Sequence, residues 1–173
     1  MLLTEGALSD AHTSNSQKPL PCYASFKTHL IKRGFTVFPF EFECTGSDHP
    51  FVDLAARMGC MYWAFEYKSR SDSISRGVDQ LRCYAEWFDY VVLVSEKTLD
   101  HRRSENYWEL KSMGAGMWNY DPDLARCCES RDPVIQKPDR RNHRFVSRRF
   151  GAFERAETAV EVLGNQTRMP DYF

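Results

Sequence analysis

Apolar positions along the chain recur with two periods, and together they lay out a mixed α/β domain. From Pro21, the residues Tyr23, Phe26, Lys27, Leu30 and Ile31 follow the stripe of an amphipathic helix, with Gly34 as its stop. Phe35 to Cys44 is rich in Phe, Val and Thr and predicts a strand, with Pro39 marking an edge or a bulge. Thr45 to Asp48 is a turn. Two further strand-like arms, Phe51–Ala56 and Tyr62–Lys68, meet at Met58-Gly59-Cys60 as a hairpin. Gly77, Gln80, Leu81, Tyr84, Ala85 and Phe88 form one helical stripe after the polar link 69–75. Tyr90–Ser95 is a continuous apolar run, which suits a strand buried on both faces after a β-α-β crossover. Ser104 then caps a helix through Lys111, and Gly116–Tyr120 predicts a short strand. Pro122–Pro138 reads as turn-rich, and a last helix spans Ala152–Leu163, with Phe153, Ala156, Val160 and Leu163 inward and Gly164 at its end.

Charge enters the hairpin where strands are otherwise apolar. Asp53 lies in the first arm, Glu66 and Lys68 in the second. Strand side chains alternate, so Glu66 and Lys68 share a face opposite Trp63, Phe65 and Tyr67. Burying unpaired charge is costly, so three ionisable groups on adjoining strands imply a shared use. Twelve residues separate Asp53 from Glu66, enough to finish a strand, turn and return, which sets Asp53 opposite the Glu66–Lys68 end. Two carboxylates there suit a hard divalent cation.

This Asp-x12-Glu-x-Lys pattern resembles the PD-(D/E)XK, or restriction-endonuclease-like, nuclease superfamily, with Val52 where the name-giving Pro would stand. Gln80 and Tyr84 resemble the Gln-x-x-x-Tyr pair of its RecB-type branches, on the helix that follows Glu-x-Lys. Tyr84 also suits ordinary core packing with its hydroxyl satisfied, and Gln80 a surface amide. The order α-β-β-β-α-β over residues 20–120 resembles the superfamily core, a mixed central β-sheet flanked by helices. The resemblance implies Mg²⁺ or Mn²⁺ held by Asp53, Glu66 and the backbone carbonyl of Tyr67. Lys68 would orient the attacking water, and the products would carry a 5′-phosphate and a 3′-hydroxyl. Relatives often carry an acid on the first helix, and none stands between Pro21 and Gly34. Glu41 or Glu43 could supply that group, or both could be solvated strand-end residues.

Composition narrows the class. With 42% apolar and 27% charged residues and a net charge of −1, the chain is an ordinary globular domain of 173 residues. No apolar run reaches membrane-span length, and the first residues lack a signal-peptide layout, so a cytoplasmic protein is expected. Six scattered cysteines without a Cys-x2-Cys pair read as reduced thiols. Residues 1–19 lack periodicity and read as a flexible arm. Residues 121–173 form a basic extension expected to pack on the core. Arg140, Arg141, Arg144, Arg148 and Arg149 could neutralise nucleic-acid phosphates, as could Arg70 and Arg76 near the hairpin, or these could be a solvated face. The expected activity is Mg²⁺-dependent hydrolysis of DNA, with RNA not excluded. A catalytically silent nucleic-acid-binding module, a homodimer and a subunit beside a helicase or repair partner stay open.

Overall fold

The structure, a computed structural model, describes residues 21–39, 41–46, 48, 51–98 and 104–166. The expected arm at 1–19 lies outside the described residues. A six-stranded mixed sheet forms the centre, in the spatial order β1-β4-β5-β6-β7-β8. Its strands are β1 (Thr36–Val37), β4 (Leu54–Met58), β5 (Met61–Lys68), β6 (Tyr90–Ser95), β7 (Gly116–Asp121) and β8 (Arg126–Arg131). β5, β6 and β7 run parallel, whereas β1, β4 and β8 join by antiparallel pairing. A second, two-stranded sheet pairs β2 (Phe42–Glu43) with β3 (Phe51–Val52). The fold is therefore α/β with a mixed sheet flanked by helices.

Alternation along the strands creates two cores. Helix α1 (Pro21–Lys32) covers one face, where Phe26 and Leu30 pack on Phe65, Tyr67, Val92, Val94, Trp118 and Tyr120. Helices α2 (Ile74–Tyr84), α3 (Glu105–Ser112) and α4 (Arg140–Gln166) cover the other, with Val78, Leu81, Leu110, Val146 and Phe150 against Tyr62, Ala64, Val91, Leu93 and Met117. β6 contributes to both cores, as its unbroken apolar run requires. The β4–β5 hairpin closes through Gly59 at φ 61°, the first central residue of a two-residue turn where only Gly is unstrained.

Five expectations need correction. The strand over Phe35–Cys44 is broken into β1 and β2, which belong to different sheets; Pro39, which has no N–H for a ladder, stands between them. The arm Phe51–Ala56 is broken at Asp53, and its second half continues to Met58. Helix α2 runs from Ile74 to Tyr84 rather than Gly77 to Phe88, because Ser73 is extended at its start and Glu86–Phe88 form turns that return Asp89 to the carbonyl of Tyr62. The supposedly turn-rich 122–138 contains β8, an edge strand whose mostly exposed side chains leave no apolar alternation to read. Helix α4 begins twelve residues early, at Arg140, where Oδ1 of Asp139 accepts from the amides of Arg141 and Asn142. It continues past Gly164, and Ala156 and Val160 face solvent. Its fully buried contacts come from Val146 and Phe150, and half-buried Phe153 packs on Phe38 as expected.

Candidate active site at the end of β5

Because β4 stops pairing at Leu54 opposite Phe65, Asp53 falls beside the last residues of β5. Its Oδ2 accepts the amide of Tyr67 at 2.9 Å. The break in the strand thus turns a carboxylate in towards β5 instead of continuing the ladder. Amide and carbonyl of one strand residue point to the same side, so the Tyr67 carbonyl also faces Asp53. On the α2 face, Glu66 and Lys68 follow Tyr62 and Ala64 into the layer between sheet and helix, leaving Glu66 only 1% and Lys68 7% exposed. Polar groups buried to this degree need hydrogen-bond partners, and here they have them.

Lys68 Nζ donates to Glu66 Oε1 at 2.6 Å and to Gln80 Oε1 at 2.9 Å. Gln80 and Tyr84, one helical turn apart on α2, continue the network: Gln80 Nε2 donates to the Tyr84 hydroxyl at 3.4 Å. That hydroxyl lies within reach of the Phe51 carbonyl and, at 3.2 Å, of Glu66 Oε2. It has a single proton to give, for which these two acceptors compete. Burial pushes the Glu66 carboxyl up to about 8, with the Asp53 charge adding to the rise and Lys68 opposing it. Burial likewise raises Asp53, offset by the Tyr67 amide and Lys68. The Tyr84 phenol is raised by burial and by Glu66, which keeps it a donor.

The five side chains Asp53, Glu66, Lys68, Gln80 and Tyr84 are thus brought together. Glu41 also acts on this end of the sheet, since its charge raises the proton affinity of both Asp53 and Tyr23. The charge of Glu43 bears instead on Cys44. Of the two candidate acids, Glu41 stands on the site's side. Sequence reasoning missed Tyr23, whose hydroxyl donates to the backbone carbonyl of Asp53; its place on the α1 stripe made it look like packing alone.

The arginines divide. Arg70 and Arg76 are exposed on the segment from Lys68 into the first turn of α2. That turn carries no acid, and Ser73 makes no side-chain capping bond, so its amides favour an anion. The first turns of α4 lie elsewhere. His143 Nε2 meets Asp89 at 3.1 Å, and Ser147 meets the Tyr62 hydroxyl at 3.1 Å, both at the opposite end of β5. Four to six residues of strand separate Tyr62 from Glu66 and Lys68, roughly 13–20 Å. Arg140, Arg141, Arg144 and Arg148 are therefore not grouped with the carboxylates, and Arg149 lies over the rings of Phe38, Phe42 and Phe145 at 5.7–5.9 Å.

Among the described residues no set of three His, Cys, Asp or Glu side chains is arranged to hold a metal ion. Asp53 and Glu66 make a smaller donor set. They lie close enough for the Asp53 charge to raise the cost of ionising Glu66. A divalent cation relieves that repulsion, and Mg²⁺ needs only one or two protein carboxylates when substrate phosphate and water complete its shell. The residues present fit such an ion.

No family model matches the chain, and no curated protein matches it. A solved structure of a protein of unknown function from Silicibacter pomeroyi is similar in fold, with a TM-score of 0.56 and 16% identity over 91% of this chain and 99% of that one. Two others cover 68% of this chain. One is an XisH family protein from Nostoc punctiforme (TM-score 0.45, 18% identity, 97% of that chain). The other is an fdxN element excision controlling factor protein from Anabaena variabilis (TM-score 0.48, 16% identity, 96% of that chain). At these identities the first likeness speaks to fold alone, and the other two are too slight to carry an argument. No helix among the described residues is long and apolar enough to cross a membrane.

Proposed function

We propose that the chain is a divalent-cation-dependent nuclease of the PD-(D/E)XK type, hydrolysing phosphodiester bonds of DNA. The observation that carries this reading is the single hydrogen-bonded network of Glu66, Lys68, Gln80 and Tyr84, with Asp53 turned in beside it by the strand break. Three dispersed parts of the sequence pattern meet there in the order expected from it.

Asp53, Glu66 and the Tyr67 carbonyl would hold the cation, Mg²⁺ or Mn²⁺. When bound it supplies Lewis-acid stabilisation of charge gathering on the phosphate and makes a neighbouring water more acidic. Lys68 brings a positive donor to the same point, already oriented by Glu66 and Gln80, and stabilises the phosphate oxygens as they gain charge. Gln80 keeps the ammonium aimed while Glu66 is engaged elsewhere. Tyr84 holds the Phe51 carbonyl and so the strand that delivers Asp53. Arg70, Arg76 and the first-turn amides of α2 receive flanking phosphates.

Cleavage of labelled single-stranded, double-stranded and branched DNA, with Mg²⁺, Mn²⁺ or EDTA, tests the reading. Cutting should need the cation and be abolished in Lys68→Ala and Asp53→Ala. Full activity in Asp53→Ala sinks it, and DNA binding without cutting of any substrate transfers the case to a catalytically silent binding module.

A further inference from the structure

The first helix supplies no acid to the site, yet it does reach it. Phe26 and Leu30 are fully buried under the sheet, and Phe26 packs against Phe65, Tyr67, Trp118 and Tyr120 with ring centroids 5.1–6.5 Å apart. Ser25 adds a hydrogen bond to the Tyr120 hydroxyl. α1 is therefore held firmly on the sheet. Tyr23 lies three residues before Phe26 and so on the same helix face. Its ring meets Tyr67 edge-on at 6.3 Å, and its hydroxyl donates to the backbone carbonyl of Asp53.

That carbonyl belongs to the residue at which β3 ends and β4 begins, outside both ladders. The Tyr23 hydroxyl bonds the Asp53 main chain, and the Tyr67 amide bonds its carboxylate. We infer that Tyr23 is a positioning residue for the cation site: its hydroxyl holds the Asp53 peptide so that the carboxylate meets Glu66 at a fixed place. The inference rests on reading the site as a cation-dependent nuclease. Packing alone does not need the hydroxyl, since a phenylalanine ring would make the same edge contact with Tyr67.

Groups that orient metal ligands typically govern affinity about ten- to a hundred-fold. Mn²⁺ binding to the purified chain, read by the loss of the free-ion electron paramagnetic resonance signal, gives a measure independent of turnover. Tyr23→Phe should weaken Mn²⁺ binding by at least about tenfold with its thermal midpoint near that of wild type, and saturating Mn²⁺ should restore most of kcat. Unchanged Mn²⁺ affinity in Tyr23→Phe, with binding lost in Asp53→Asn, overturns the inference and leaves the nuclease reading standing. Wild-type affinity in Asp53→Asn, or no Mn²⁺ binding by wild type, overturns the cation site itself and the role of Tyr23 with it. Equal loss of affinity and thermal midpoint in Tyr23→Phe assigns the hydroxyl to general stability and also overturns the inference.

Discussion

Replacing Gly77 with alanine should disturb Lys68 more than it disturbs the fold as a whole. Gly77 stands where α2 crosses the stem of Lys68, and a Cβ built there falls 2.7 Å from Leu93 Cδ1 and 2.8 Å from Lys68 Cε. Ordinary carbon contacts begin near 3.5 Å, so the neighbours must yield by roughly 0.8 Å. Leu93 is fully buried and Lys68 Nζ is tethered to Glu66 and Gln80, so neither can swing clear without loss. Overpacking of this kind costs about 1–3 kcal/mol. Alanine in a helix interior regains about 0.8–1.0 kcal/mol over glycine. The net should therefore lie between about neutrality and 2 kcal/mol of destabilisation, or up to roughly 8 °C in the midpoint for a domain of this size. If the chain is the nuclease proposed above, its DNA cleavage has no such offset. A displacement near 1 Å of an orienting group can cost about a hundredfold, and a loss of that order in single-turnover DNA cleavage is expected. Urea unfolding of wild type, Gly77→Ala, Lys68→Ala and the double variant isolates the contact without relying on activity. The alanine should cost about 0.5–2 kcal/mol less once the Lys68 stem is gone. Stabilisation by the whole helix gain together with zero coupling would refute the reasoning, because no close approach would then exist.

Two further outcomes follow from the buried acids. The folded chain holds the Glu66 proton up to about 8 against an ordinary value of 4.5, so between these values the native state binds a proton that the unfolded chain has released. Without divalent cation, stability should fall as pH rises through that window and level off above it, by a few kcal/mol at the order-of-magnitude level. Urea midpoints read between about pH 5 and about pH 9 should show the slope in wild type and a flatter profile in Glu66→Gln; a flat wild-type profile contradicts the assignment. Asp89, at the other end of β5, accepts the Tyr62 amide at 2.8 Å and meets His143 at 3.1 Å. Asp89→Ala strands a buried amide and should cost about 1–3 kcal/mol in urea unfolding, whereas Asp89→Asn, which keeps an acceptor, should cost less; the reverse order would show that the carboxylate is not what holds α4 there.

Much of this molecule was legible in its sequence wherever one residue's neighbours are local. The hairpin at Gly59, the doubly buried β6, the α2 stripe and the face shared by Glu66 and Lys68 follow from periods of 2 and 3.6 and from glycine's tolerance of positive φ. The convergence of Asp53 with that face was also implied, since a tight turn fixes hairpin register. Tertiary structure alone decided the rest. β8 is exposed along most of its length and owes its existence to backbone bonds with β7, for which no side-chain pattern is required. The arginines of α4 look like a companion to the site in one dimension, and only the docking of His143 on Asp89 puts them at the far end of β5. Tyr23 and Gly77 read as a packing aromatic and one more position on a stripe. Their meaning lies in what they meet across the fold, the Asp53 carbonyl and the Lys68 stem, and contacts between residues far apart in sequence leave no periodic trace.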